Sequence, residues 1–163
     1  QEFKVPVQNI KSFVLGGHGD SMVAMLESTE VEGKKITDLI KEGKISKERL
    51  DQIVDRTKKG GAEIVKYLEK GSAFYAPAAS GVEMAECYIK DLKKQLPCAV
   101  YLNGEYGTKD IYAGVPVIIG SSGVEKIIEL NLSSIEKENF EKSIKTVRDL
   151  FDAAKKIDND LVL

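Results

Sequence analysis

The stretch Phe13-Val14-Leu15-Gly16-Gly17-His18-Gly19-Asp20-Ser21-Met22-Val23 sets a glycine-rich segment between two short apolar runs. Short apolar runs bounded by glycine are typical of β-strands joined by a loop. The runs Ser12–Leu15 and Met22–Leu26 therefore predict a strand on either side of a glycine loop. Glycine adopts backbone conformations that other residues rarely adopt, and it lets a ligand approach the main chain closely. His18, the only histidine of the chain, lies in the middle of this loop.

Downstream of the loop, the spacing of apolar residues predicts two helices. The first opens at Ser46, whose hydroxyl can cap it, and continues through Gly60-Gly61 with a kink or a close backbone contact there. A break over Gly71–Ser80 follows, and we expect it to form a ligand-facing corner. Residues Val82–Leu92 then predict a second amphipathic helix that ends near Pro97.

The last part of the chain predicts an antiparallel sheet and a long helix. Ser133 and Glu136 have the spacing of a capping box, and apolar residues recur every three or four positions from Phe140 to Ala154. We expect this helix to lay one apolar face on the sheet, which gives an α+β fold. The expected strands, in the order of an antiparallel meander, are Cys98–Leu102, Ile111–Ala113, Val115–Ile119 and Val124–Leu130.

Composition favours one soluble domain and excludes several classes of function. The 163 residues are 42% hydrophobic and 31% charged, and no linker divides them, so we expect a single domain over residues 1–163. A net charge of −2 offers no positive field for nucleic acid. The longest apolar run, Val115–Ile119, falls far short of the roughly 20 residues of a membrane span. No targeting pattern is evident, so we expect no membrane association and a cytoplasmic location.

Two cysteines and one histidine cannot supply the four ligands of a structural zinc site, so no metal is expected. We expect Cys87 and Cys98 to be reduced and buried.

From the residues alone, His18 has two interpretations. Imidazole exchanges protons near neutral pH, so a histidine in a glycine loop is a candidate for acid–base catalysis. A lone histidine in a turn is more often simply a polar surface residue. The nearby Asp20 does not complete a catalytic triad from spacing alone, and Gly17–Met22 lacks the last glycine of a dinucleotide fingerprint.

The motifs are more specific than the periodicity. Phe13–Val23 resembles the catalytic-histidine segment of the malate and lactate dehydrogenase family. Three more segments are similar, in order and spacing, to malate dehydrogenases of the lactate-dehydrogenase-like branch: Gly71–Ser80, Leu96–Ala99 and Gly104–Gly107. The resemblance runs from about Gln1 to Asp152 and covers the family's C-terminal half. It implies the catalytic and substrate domain, with antiparallel sheets packed against long helices, and places the N-terminal Rossmann half outside this chain.

The resemblance also implies roles for three residues. His18 would accept the hydroxyl proton of a 2-hydroxy acid while hydride leaves the adjacent carbon for NAD, and would return the proton in the reverse direction. Ala73 falls where the family lines the substrate pocket, and lactate enzymes usually have threonine there, so alanine favours malate. Pro77 falls where an apolar side chain packs near the nicotinamide. Both residues also suit the start of a helix in any protein.

We therefore expect the catalytic domain of an NAD-dependent malate dehydrogenase that interconverts malate and oxaloacetate in the tricarboxylic acid cycle. NAD would be bound mainly by the N-terminal half, and the fragment alone would be inactive. The family's orienting aspartate and substrate-binding arginine lie upstream of Gln1, which also accounts for the missing initial methionine. Two alternatives stay open: a lactate dehydrogenase domain, and a catalytically silent oligomerisation module. The family resemblance implies a homo-oligomer, a dimer or a tetramer.

Overall fold

The structure is a computed structural model and describes residues 2–158 and 160–161. Gln1, where the resemblance begins, and the end of the expected domain at Leu163 lie outside the described residues. The strands are β1 (Ile10–Lys11), β2 (Val14–Gly16), β3 (Met22–Ala24), β4 (Glu30–Val31), β5 (Lys34–Lys35), β6 (Lys94–Asn103), β7 (Lys109–Gly120) and β8 (Gly123–Ile127). The helices are α1 (Ile36–Lys41), α2 (Lys47–Lys58), α3 (Gly60–Leu68), α4 (Tyr75–Ile89) and α5 (Ser134–Lys155).

Two antiparallel sheets organise these elements. The larger has the strand order β3-β2-β7-β6, and β8 also pairs with β7. The smaller has the order β1-β4-β5. The predicted α+β class with antiparallel sheets is therefore confirmed. The glycine loop joins β2 to β3, as predicted, and brings His18 to one end of the larger sheet.

The main core lies between the larger sheet and helices α4 and α5. Along β6 every second residue from Leu96 to Leu102 is buried, as expected for a strand with one covered face. Phe140 and Ile144 of α5 are buried against this surface, and Cys87 of α4 joins them. The predicted apolar face of the last helix is therefore confirmed.

The local start signals of two helices are also confirmed. The hydroxyl of Ser46 accepts a hydrogen bond from the Arg49 amide at 3.1 Å and caps α2. Ser133 and Glu136 form the capping box of α5, and the buried Glu136 carboxylate also accepts a hydrogen bond from the Glu27 amide at 3.2 Å. This last bond ties the start of α5 to the chain just after β3.

The predicted boundaries of the second helix, which is α4 in the structure, were wrong at both ends. Helix α4 begins at Tyr75, inside the predicted break, because Pro77 sits in its first turn, where an amide hydrogen has no helical acceptor. It ends at Ile89 rather than near Pro97, because Asp91 and Lys93 turn the chain with positive φ angles of 48° and 49°.

Three strand predictions also needed correction. Pro97 lies within β6, directly opposite Pro116 of β7. The two runs predicted around Gly114 form one continuous strand, β7. Strand β8 ends at Ile127, three residues before the predicted end at Leu130, because the following segment is held by Tyr106, whose hydroxyl accepts from the Leu130 amide at 3.0 Å.

The apolar residues on which the amphipathic prediction for α4 rested do not face the core. Val82 and Ile89 are exposed by 68% and 78%, and the buried member of the helix is Cys87. The burial of both cysteines is confirmed. Helices α3 and α4 thus present apolar side chains to the outside, among them Val65, Leu68 and Tyr88.

Candidate active site

The glycine loop is held tightly at its start. Gly16 pairs with Met22 across the hairpin and with Gly114 of β7. Its φ of 87° lies in the left-handed region that favours glycine. A Cβ atom on Gly114 would lie 3.0 Å from the Gly16 carbonyl oxygen, so the two strands are so close here that a side chain would require one of them to shift by a few tenths of an ångström.

Helix α5 holds the loop through a side-chain hydrogen bond. The amide of Gly17 donates a hydrogen bond of 2.8 Å to the hydroxyl of Ser143, a side chain that is only 3% exposed. On the other side of the histidine, the Ser21 hydroxyl donates to the His18 carbonyl oxygen at 3.3 Å. Hydrogen bonds therefore fix the main chain on both sides of His18.

His18 is exposed and borders a cleft of about 820 Å³. The other walls are residues 57–62, where α2 meets α3, and residues 72–77, which lead into the first turn of α4. The position of His18 meets a requirement of the acid–base interpretation, because a buried ring facing away from every cleft could not reach a ligand.

Ala73 and Pro77 line the same cleft as His18. Ala73 is half-buried just before α4, and Pro77 is exposed in its first turn. The fold thus brings together all three residues singled out from the sequence, although the segments are far apart in the chain. Contact of these residues with a substrate or cofactor stays a prediction.

The wall opposite the loop contains a helix junction fixed by an ion pair. Helix α2 ends at Lys58 and α3 begins at Gly60, with Lys59 between them, which confirms the kink predicted beside Gly60-Gly61. Arg56 bridges the junction with two bonds to the Glu63 carboxylate, Nη2 to Oε1 at 2.8 Å and Nε to Oε2 at 3.0 Å. The bonds lower the pKa of Glu63 and raise that of Arg56, so this pair stays charged at neutral pH.

Gly60 and Gly61 leave this wall without side chains. A Cβ atom added at either position would meet nothing within 4 Å. The close backbone contact considered for this pair is therefore not made within the described residues, and the glycines widen the cleft instead.

Sequence reasoning missed Ser143. The signal was its position on α5: it lies between Phe140 and Val147 on the stripe that faces the core. A hydroxyl among inward-facing apolar residues needs a hydrogen-bond partner, and a glycine loop is a natural source of free amides.

Within residues 2–158 and 160–161, no group of three or more histidine, cysteine or acidic side chains is arranged to hold a metal ion. In the same part of the chain, none of the helices has the length and apolar character needed to cross a bilayer.

The chain is similar to known dehydrogenases over almost its whole length. A family model described as lactate/malate dehydrogenase, alpha/beta C-terminal domain, matches residues 1–157. A malate dehydrogenase of Pelagibacter ubique is 64% identical over 160 residues, which is 98% of this chain and 50% of that protein. The chain thus spans about half the length of the curated relative it matches.

Solved structures give the same picture. A malate dehydrogenase of Cryptosporidium parvum superposes with a TM-score of 0.91 at 41% identity, covering 95% of this chain and 49% of that one. A lactate dehydrogenase of Cryptosporidium parvum, complexed with lactic acid and nicotinamide adenine dinucleotide, superposes with a TM-score of 0.92 at 40% identity. That match covers 99% of this chain and 50% of the other.

Proposed function

This chain belongs to the family of lactate/malate dehydrogenase α/β C-terminal domains, and from that premise we propose that it is the catalytic half of an NAD-dependent malate dehydrogenase. The main support for this proposal is that His18 is exposed on the wall of a cleft, in a loop held by hydrogen bonds on both sides of the histidine. In this role His18 accepts the hydroxyl proton of malate and returns a proton to oxaloacetate in the reverse direction. The residues that bind most of the NAD lie, in this proposal, in an N-terminal half outside this chain.

The cleft fits the nicotinamide end of such a cofactor. Pro77 and Ala73 supply an apolar wall, and the backbone at Gly19 faces open space, because a Cβ atom there would meet nothing within 4 Å. NAD, when bound, supplies the acceptor for the hydride that leaves the substrate carbon. This chain's contribution is to orient the substrate beside His18 and to hold the proton on the His18 imidazole.

Two observations favour malate over lactate as the substrate. The relative that is 64% identical is a malate dehydrogenase. Ala73 leaves more room in the cleft than the threonine that lactate enzymes usually present at the resembling position. The lactate alternative is tested by comparing kcat/KM on oxaloacetate and pyruvate. We expect the ratio to favour oxaloacetate, and a preference for pyruvate would replace the malate assignment.

The decisive experiment is His18→Asn in the full-length protein, meaning this chain joined to its nucleotide-binding half. General acid–base catalysis contributes about 100- to 10,000-fold, so we expect a loss of that order in kcat. Lys126→Asn, an exposed substitution on β8 away from the cleft, serves as the control. Unchanged turnover of a folded His18→Asn variant would remove the catalytic assignment.

A second role, in assembly, has its own support. Tyr67, Tyr75, Val82 and Ile89 on α3 and α4 are 68% to 81% exposed, and exposed apolar surface of this kind usually marks an interface. We propose that this surface is covered by the nucleotide-binding half or by a second copy in a homodimer or homotetramer. Sedimentation of the full-length protein tests this, since a monomer at high concentration would exclude the oligomer.

A cytoplasmic location and a part in the tricarboxylic acid cycle belong to the same proposal and rest on family resemblance. Cell fractionation followed by detection of the full-length protein tests the location, and recovery in the membrane pellet would contradict it.

A further inference from the structure

We infer that Ser143 is a positioning residue for His18. Its hydroxyl, on α5, holds the glycine loop in the position from which the His18 imidazole reaches the substrate. This inference rests on the proposed function and extends it, since Ser143 itself touches neither substrate nor cofactor. Ser143 does not border the His18 cleft. It borders a neighbouring cavity of about 590 Å³ between α2 and α5.

The first support is the hydrogen bond itself. The Gly17 amide that donates to Ser143 belongs to the residue directly before His18, and the bond of 2.8 Å joins positions 126 apart in the chain. The Ser143 side chain is almost fully buried. Without its oxygen, a partly buried amide would lose its acceptor, and such a group is costly to leave unpaired.

The second support is the fit between the loop and the helix. A Cβ atom on Gly16 would lie 2.2 Å from the Ser143 Oγ, and one on Gly17 would lie 3.1 Å from Val147 Cγ2. Such distances leave no room for side chains, so the loop lies flat on α5. At Gly16 the space between loop and helix is filled by the Ser143 side chain.

The third support is the open space beside Gly19, the residue directly after His18. A Cβ atom on Gly19 would meet nothing within 4 Å, and glycine-rich backbone is intrinsically mobile. Two side-chain hydrogen bonds hold the main chain around His18: the Gly17 amide donates to Ser143, and the Ser21 hydroxyl donates to the His18 carbonyl oxygen. The nitrogen of a general base must come within about 2.6 to 3.2 Å of the oxygen that carries the proton, and a displacement of about 1 Å can cost about 100-fold in rate.

The test is Ser143→Ala in the full-length protein, with two companion variants. Ser143→Thr keeps the hydroxyl, and the neighbouring cavity has room for the added methyl group. Thr146→Ala is the matched control, because Thr146 lines the same cavity but bonds only to its own helix, at the Lys142 carbonyl.

We expect Ser143→Ala to lower kcat by about 10- to 100-fold with the KM for NAD within about twofold. Turnover is expressed per folded molecule, with the folded fraction measured by circular dichroism, because a smaller folded fraction alone would also lower kcat without changing KM. We expect Ser143→Thr to recover most of kcat and Thr146→Ala to resemble the unmodified protein. Hydrogen exchange at the Gly17 amide, measured without substrate or NAD, should be faster in Ser143→Ala and not in Thr146→Ala.

Two results would overturn the inference: a Ser143→Ala variant with unchanged kcat, or one whose Gly17 amide exchanges no faster. His18→Asn separates this failure from that of the proposed function. An inactive His18→Asn beside a fully active Ser143→Ala overturns only the positioning role. A fully active His18→Asn overturns both.

Discussion

Replacing Gly16 by alanine should destabilise the protein far more than the same change at an unobstructed glycine. Gly16 has a φ of 87°, and its new Cβ atom would lie 2.2 Å from the Oγ of Ser143 and 2.8 Å from its Cβ. Real Cβ atoms do not approach other atoms so closely, so either the loop or α5 must move. The substitution therefore combines backbone strain with a steric clash.

The two contributions can be separated in magnitude. Left-handed backbone costs an L-residue about 1 to 2 kcal/mol. Overpacking a well-packed site costs about 1 to 3 kcal/mol more. We expect the free energy of unfolding to fall by about 2 to 5 kcal/mol in Gly16→Ala. Gly33→Ala is the matched control: its φ is 78° and its Cβ would meet nothing within 4 Å, so only the backbone cost of about 1 to 2 kcal/mol remains.

Urea denaturation of the two variants measures the difference. A third variant, Gly16→Ala combined with Ser143→Ala, removes the nearer of the two clashing atoms. Because the residues are in contact, we expect it to be more stable than the sum of the single effects predicts, by about 0.5 to 3 kcal/mol. Equal destabilisation by Gly16→Ala and Gly33→Ala would refute the close packing of the loop on α5.

Three further outcomes follow from the core and its edges. Phe140→Ala should lower the free energy of unfolding by about 3 to 5 kcal/mol, because Phe140 is 2% exposed, whereas Leu150→Ala, at 67% exposure on the same helix, should have little effect in the same urea titration. Burial raises the pKa of the Cys98 thiol, so we expect its alkylation at neutral pH to be slow until urea unfolds the protein; rapid labelling of the folded protein would contradict this. Burial likewise raises the pKa of Tyr106, so its contribution to stability is complete below about pH 10 and is lost as the pH rises through the folded-state pKa. Tyr106→Phe should lower the free energy of unfolding by about 1 to 3 kcal/mol at neutral pH, because it removes the hydroxyl that joins the Ile128 carbonyl and the Leu130 amide. It should also weaken the loss of stability at alkaline pH, and an unchanged alkaline loss would contradict this assignment.

Local signals in the sequence were sufficient for much of the fold. The capping box at Ser133 and Glu136 and the cap at Ser46 involve neighbouring residues only, so the pattern determines the geometry. The same holds for the glycine loop, whose flanking apolar runs pair with each other. These features depend on interactions within a few residues, which sequence patterns record directly.

Features that depend on distant partners were not predictable in the same way. Gly114 separated two predicted strands, yet β7 continues through it, because Gly114 allows the close approach of Gly16. The apolar stripe of α4 was recognised, but its pattern does not say which surface covers it. Val82 and Ile89 proved to be exposed.

The candidate site shows the same division. The motif around His18 identified the residue, and the resemblance added Ala73 and Pro77. Their shared cleft follows from the packing of α2, α3 and α4 around the loop, which no single segment specifies. Ser143 was missed because its partner is an amide 126 positions away.

Because Gly17 and Ser143 are 126 positions apart, the glycine loop is synthesised well before the residue that holds it. At a synthesis rate of about 5 to 20 residues per second, the His18 segment is made roughly 6 to 25 s before the residue that steadies it. During elongation of the nascent chain, the β2–β3 hairpin therefore lacks its hydrogen bond to Ser143. A product truncated before residue 143 would therefore contain the histidine loop without the hydroxyl that accepts from the Gly17 amide.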